Sequence, residues 1–136
     1  MKLTNQDIWL AYSNLTKLST MRFPVDVSMG IAWLCSKLQQ PYAVIESERQ
    51  KLVNYYGTKN GNQVSVLPES PQSGDFAREF GELLTKEWPD EFEIQRVKLP
   101  SKITVRCADC DKSLDIDFLI EPNVLIPLRE HFISSP

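Results

Sequence analysis

The chain has 136 residues, 42% of them apolar and 24% charged, with three cysteines and a net charge of −3. That length supports one domain with its own core, and the composition excludes a disordered or fibrous chain. No apolar run approaches the roughly 18–20 residues of a bilayer span, and three cysteines without a secretory apolar region point to a reducing compartment rather than a disulfide framework.

Thr4 caps a first helix, and Asp7 three residues later completes a capping box. Ile8, Ala11, Tyr12, Leu15 and Leu18 recur at three- and four-residue steps and set its apolar face, with an end near Ser19-Thr20. Pro24 or Asp26 opens the next element. From Gly30 to Tyr56, Ile31, Leu34, Cys35, Leu38, Tyr42, Ile45, Leu52, Val53 and Tyr56 keep one helical phase, which predicts a long amphipathic helix stopped at Gly57. Pro41 removes a backbone hydrogen bond inside it; because the stripe keeps its phase across the proline, a kink is expected rather than two helices.

Asn60-Gly61 is a turn signal, "QVSVL" reads as a short strand, and a Pro/Ser/Gly loop follows. A third helix is predicted from about Gly74 to Trp88, with Phe76, Phe80, Leu83 and Leu84 on its buried stripe. "EFEIQRVKL" reads as a strand, and Lys102–Asp117 as a β-hairpin in which Ile103, Val105 and Cys107 face Leu114, Ile116 and Phe118. A final helix starts at Glu121 with Pro122 in its first position and is weakened by Pro127. The sum is an α+β fold in a single domain, residues 1–136. A helical hairpin or arm, 1–57, with a long Pro-kinked helix, packs with an α+β part, 58–136, that holds a small antiparallel sheet and one or two further helices.

Charge is unevenly spread. Residues 1–60 hold seven Lys/Arg against four Asp/Glu, whereas residues 61–136 hold eight against fourteen. The bases form no concentrated stripe with interleaved aromatics, so direct nucleic-acid binding is not expected. Within Asp75–Glu93 seven acids face two bases, and Asp75, Glu79, Glu82 and Glu87 are candidates for contact with a basic protein partner. An ordinary solvated helix face explains the same pattern. Trp9, Trp33 and Tyr55 exceed what the helical stripes require and are further contact candidates, set against plain boundary packing.

Cys107 and Cys110 form a C-x-x-C pair in the hairpin turn. A structural zinc site needs four ligands, and only Cys35 and His131 remain as soft donors, so the pair lacks the second ligand pair that zinc spacing calls for. Asp109 and Asp111 beside the thiols oppose thiolate formation, which also argues against redox chemistry. No cofactor is expected, with zinc on Cys35, Cys107, Cys110 and His131 as the alternative. A single histidine without a nucleophile partner and the lack of a Gly-rich phosphate loop point away from an enzyme.

Several stretches together, "LTNQDIWLAYSNLTKL", "FPVDVSMGIAWLCSKLQ", "IESERQKLVNYYG" and "NGNQVSVLPESP", resemble a family of small proteins from tailed bacteriophages and prophages. That family pairs a short helix with a long one bearing E-x-R-x-x-L-x-x-x-Y, followed by a G-N turn and an F-x-x-E-F-x-x-L-L helix. Glu48, Arg49, Leu52 and Tyr56 stand here for the first motif, with Glu48 adjacent to the arginine, then Gly61-Asn62, then Phe76, Glu79, Phe80, Leu83 and Leu84. The likeness spans about residues 3–99 and omits the Cys-bearing hairpin. It implies a viral origin and carries over no catalytic residue. The expected function is thus a non-enzymatic phage protein acting by protein–protein contact, in particle assembly or as a small virion component. It would reside in the host bacterium's cytoplasm or the virion, with no membrane association, and its helical arm is a surface for self-association. The alternatives are an inhibitor of a host defence complex, of anti-CRISPR or anti-restriction type, that uses the acidic face, and a small zinc-binding protein.

Overall fold

The computed structural model describes residues 1–61, 63–69, 71–100, 102–106, 113–117 and 120–134. The fold is α+β. Two helices come first, α1 (Asn5–Ser19) and α2 (Val25–Tyr56), then a hairpin of β1 (Thr58–Asn60) and β2 (Gln63–Ser65). There follow α3 (Ser73–Thr85), β3 (Val97–Lys98), β4 (Lys102–Arg106), β5 (Ser113–Asp117), α4 (Pro122–Arg129) and β6 (Ile133–Ser134). No helix among the described residues is long and apolar enough to cross a membrane. The fold forms two compact units, Met1–Trp9 with Leu38–Phe92, and Leu10–Lys37 with Glu93–Pro136.

The capping box forms as the sequence predicts. Thr4 N–H donates to the Asp7 carboxylate at 3.0 Å, and Asp7 N–H donates to the Thr4 hydroxyl at 3.1 Å. Two otherwise orphaned donors at the start of α1 are thereby satisfied reciprocally. Ile8, Ala11, Leu15 and Leu18 are fully buried, and Tyr12 is half-buried. α2 begins earlier than its apolar stripe: the Pro24 carbonyl accepts the Ser28 N–H at 2.9 Å, so the helix is under way five residues before Gly30. It then runs unbroken through Pro41. Leu34, Leu38, Pro41 and Ile45 are all buried at helical spacing. Each such aliphatic side chain contributes about 1.5–3 kcal/mol, enough together to offset the roughly 3 kcal/mol that an interior proline costs.

In the first unit, residues 1–5 run antiparallel to 86–92. Asn5 N–H donates to the Lys86 carbonyl, Trp88 N–H to Leu3 and Phe92 N–H to Met1, each at 2.8 Å, around an isolated Thr4–Glu87 bridge. The Asn60-Gly61 signal becomes the β1–β2 hairpin, in which Asn60 pairs with Gln63 and Gly61 takes φ +65°, a left-handed value that favours glycine. α3 differs from expectation in burial. Phe76, Phe80, Leu83 and Leu84 are each half-buried and no residue of α3 is fully buried; the Phe76 and Phe80 rings stack on one another with centroids 5.8 Å apart.

In the second unit Leu15, Leu18, Ile31, Leu34, Leu128 and Phe132 are almost wholly buried. The expected strand over "EFEIQRVKL" shortens to β3, which pairs in parallel with β6 (Val97 to Ile133, Lys98 to Ser134). The single antiparallel sheet of the sequence reading is thus three two-stranded ladders among the described residues, two antiparallel and one parallel. The β4–β5 register places Ile103 opposite Ile116 and Val105 opposite Leu114, as the hairpin reading requires. The pairing expected of Cys107 and Phe118 lies outside the described residues. α4 starts at Pro122 and continues past Pro127.

Candidate functional site

The N-terminal turns of α2 present two different faces. Ile31, Leu34 and Leu38 belong to the buried stripe, while Val25, Met29, Trp33 and Lys37 form an i, i+4 row on another side. Val25 is 76% exposed and Met29 67% exposed. Trp33 is half-buried, and the Lys37 ammonium lies 5.1 Å from the centre of its ring, a cation–π distance. Exposed apolar side chains in register along a helix are unusual enough to need an account, whereas scattered ones are not.

This row borders a groove of about 460 Å³ between the start of α2 and the chain at β3, with Met29, Gly30 and Trp33 on one wall and Arg96, Val97 and Lys98 on the other. Gly30 sets the width. A β-carbon there would stand 2.8 Å from a Val97 methyl, so the helix and the strand meet at the closest distance a glycine permits. Val97 is held in turn by its N–H to the Phe132 carbonyl at 2.9 Å. The Arg96 guanidinium donates to the Glu130 backbone carbonyl, a neutral acceptor that leaves its charge without an ion pair among the described residues. Asp26, in the first turn of α2, is the one acid lining the groove among the described residues.

The other contact candidates have different surroundings. Trp9 is half-buried in the first unit, where its indole N–H donates to Glu46 at 3.3 Å and its ring meets the edge of Phe80 at 5.7 Å. Glu46 also accepts from Arg49 at 3.0 and 3.1 Å, and the guanidinium, aided by Trp9, holds its carboxyl below the usual glutamate range. Tyr55 is 79% exposed and packs edge-on against Tyr56. On α3, Asp75 and Glu82 are exposed, and Arg78 lies 3.8 Å from each, so a cation sits within the acidic face. Glu79 accepts a hydrogen bond from the Tyr56 hydroxyl, and Glu87 is exposed with its backbone in the bridge to Thr4.

Cys107 and Cys110 lie outside the described residues. Cys35 is half-buried on α2, and burial pushes its thiol above the ordinary value, away from the thiolate that a metal or redox role demands. His131 lies 3.7 Å from Glu130 and packs edge-on to Phe132. Among the described residues no cluster of three or more His, Cys, Asp or Glu is arranged to hold a metal ion.

Trp33 is the one predicted contact residue that the groove contains. Val25 and Met29 escape a reading that follows only the buried stripe from Gly30 onward. The signal for them is local all the same: apolar residues at i, i+4 and i+8, out of phase with the core. No protein-family model, curated protein or solved structure matches the chain.

Proposed function

We propose that this chain works by protein–protein contact rather than catalysis, as a small bacteriophage protein in particle assembly or in the virion, residing in the host cytoplasm or the particle. The observation that carries the contact reading is the Val25–Met29–Trp33 row beside an open groove. Exposed valine and methionine side chains aligned on one helix face with a half-buried tryptophan gain most when a partner removes them from water, at roughly 25 cal/mol per Å² of apolar surface. The phage assignment rests on the resemblance over residues 3–99. A host-directed inhibitor would present the acidic face of α3 instead, and there Arg78 dilutes the negative field that mimicry of nucleic acid requires.

The deciding experiment is affinity purification of the tagged chain from infected cells, with partners identified by mass spectrometry and Met29→Lys run in parallel. A phage structural protein that copurifies with the wild type and is lost with Met29→Lys is the expected result. Copurification with a host defence complex contradicts the assembly role, and a partner retained unchanged by Met29→Lys contradicts the contact surface.

A further inference from the structure

We infer that the groove between the start of α2 and β3 receives an extended, acidic segment of a partner protein, which adds its backbone to the free edge of β3 and places an apolar side chain against Met29 and Trp33. This deepens the contact reading and rests on it. Three independent features of the groove converge on that ligand.

The first is the backbone. β3 is half of a two-stranded parallel ladder, with Val97 and Leu99 donating toward β6, to the Phe132 carbonyl at 2.9 Å and the Ser134 carbonyl at 3.2 Å. Alternation along a strand turns the Lys98 N–H and C=O to the opposite edge. No strand among the described residues pairs there. An unpaired edge is a template for one more strand, and addition to such an edge is a common mode of peptide capture.

The second is the apolar surface. Met29 is 67% exposed while Val27, Trp33 and Val97 stand in the same groove, so a large apolar side chain arriving from outside finds an apolar wall already in place. Methionine adapts its shape to different partners at low cost.

The third is charge. Arg96 and Lys98 line the groove, and Lys37 lies over the Trp33 ring at its border. Among the described residues none of the three makes an ion pair and Asp26 is the single opposing carboxylate of the groove. Three cations against one anion select an acidic segment and reject a basic one.

The probe is a short fluorescent peptide that alternates glutamate with leucine and phenylalanine, titrated against the intact chain by anisotropy. Matched controls replace glutamate by lysine or N-methylate alternate amides. The acidic peptide is expected to bind, to shift the Met29 and Lys98 amide resonances, and to lose about tenfold or more in affinity with Met29→Gln, which removes the apolar contact without adding charge, and again with Lys98→Glu. Both positions are exposed, and melting curves equal to wild type establish that the variants fold. Equal binding of the lysine peptide overturns the charge argument, and equal binding of the N-methylated peptide overturns strand addition. Absence of peptide binding, together with a dimer in sedimentation that Met29→Lys dissociates, overturns the inference by making a second copy the occupant. If no peptide binds while the complex from infected cells is lost with Met29→Lys, the inference falls and the contact reading stands. If that complex survives Met29→Lys, the contact reading falls as well.

Discussion

Gly30 and Val97 approach so closely that a β-carbon on Gly30 would stand 2.8 Å from one Val97 methyl and 3.4 Å from the other. Two effects then compete in Gly30→Ala. Helix propensity favours alanine by about 1 kcal/mol, and overpacking against a stiff, buried β-branched side chain costs about 1–3 kcal/mol. The clash is expected to win, lowering stability by about 1 kcal/mol in urea unfolding. Val97→Ala should then relieve it, so that the double variant is more stable than the sum of the two single changes predicts. A stabilising Gly30→Ala would mean that helix and strand are not in contact.

The capping box makes a second prediction. Thr4→Ala removes the acceptor that holds the Asp7 N–H at 3.1 Å and should cost about 1 kcal/mol, whereas Thr4→Ser, which keeps the hydroxyl, should cost much less. Asn5, the next residue, gives a sharper contrast. It is buried, its side-chain amide donates to the Leu83 carbonyl at 2.8 Å, and its own Oδ1 has no hydrogen-bond partner among the described residues. Asn5→Ala loses one bond but also removes that unpaired acceptor, so its cost should be moderate. Asn5→Asp turns the donor into a second acceptor facing a carbonyl and buries a charge, and it should be the more damaging of the two. Thermal melts of the four variants check the order.

What was legible in the sequence was local. The Thr4–Asp7 box, the stripes of α1 and α2, the Asn60-Gly61 turn and Pro122 at the head of α4 all depend on residues within about one turn of each other, and each holds in the structure. The β3–β6 ladder was not legible, because two residues per strand carry no period and the partners are far apart in sequence. The pairing of residues 1–5 with 86–92 was hidden as well, because residues 86–88 read as the last turn of the third helix, which ends at Thr85, and Glu91-Phe92 as the start of a strand. The groove was half legible. Trp33 stood out as surplus, but its neighbours Val25 and Met29 precede the buried stripe, and Val97 reaches the groove only through a long-range parallel pairing.

Glu46 links pH to stability in the first unit. The hydrogen bond from Arg49 is the largest influence on its carboxyl, and together with the Trp9 N–H it outweighs burial, so the folded-state pKa lies below the ordinary value. A depressed carboxyl contributes stability above its unfolded pKa, near 4.3, and that contribution is lost as pH falls through the lower folded value. The stability gap between wild type and Glu46→Gln should therefore be constant at neutral pH and shrink only below about pH 4. Carbon-detected NMR of the carboxyl should give a midpoint below the glutamate norm, and Arg49→Met should move it upward. An unchanged midpoint in Arg49→Met would remove Arg49 as the cause.

Tyr56 and Glu79 predict the opposite window. The Tyr56 hydroxyl donates to Glu79, and this bond, with smaller help from burial and from the charges of Glu79 and Asp75, pushes its pKa up to about 12. A phenol raised above its unfolded value near 10 contributes stability that is whole below pH 10 and is lost as pH rises through the folded value. In a spectrophotometric titration Tyr56 should ionise late, near pH 12. Tyr56→Phe should abolish that late step, which assigns it. Glu79→Gln keeps an acceptor but removes the charge, so it should bring the midpoint down without erasing the step, whereas Glu79→Ala should bring it closer to 10. If the late step persists unshifted in Glu79→Ala, the hydrogen bond between the end of α2 and α3 is not its source.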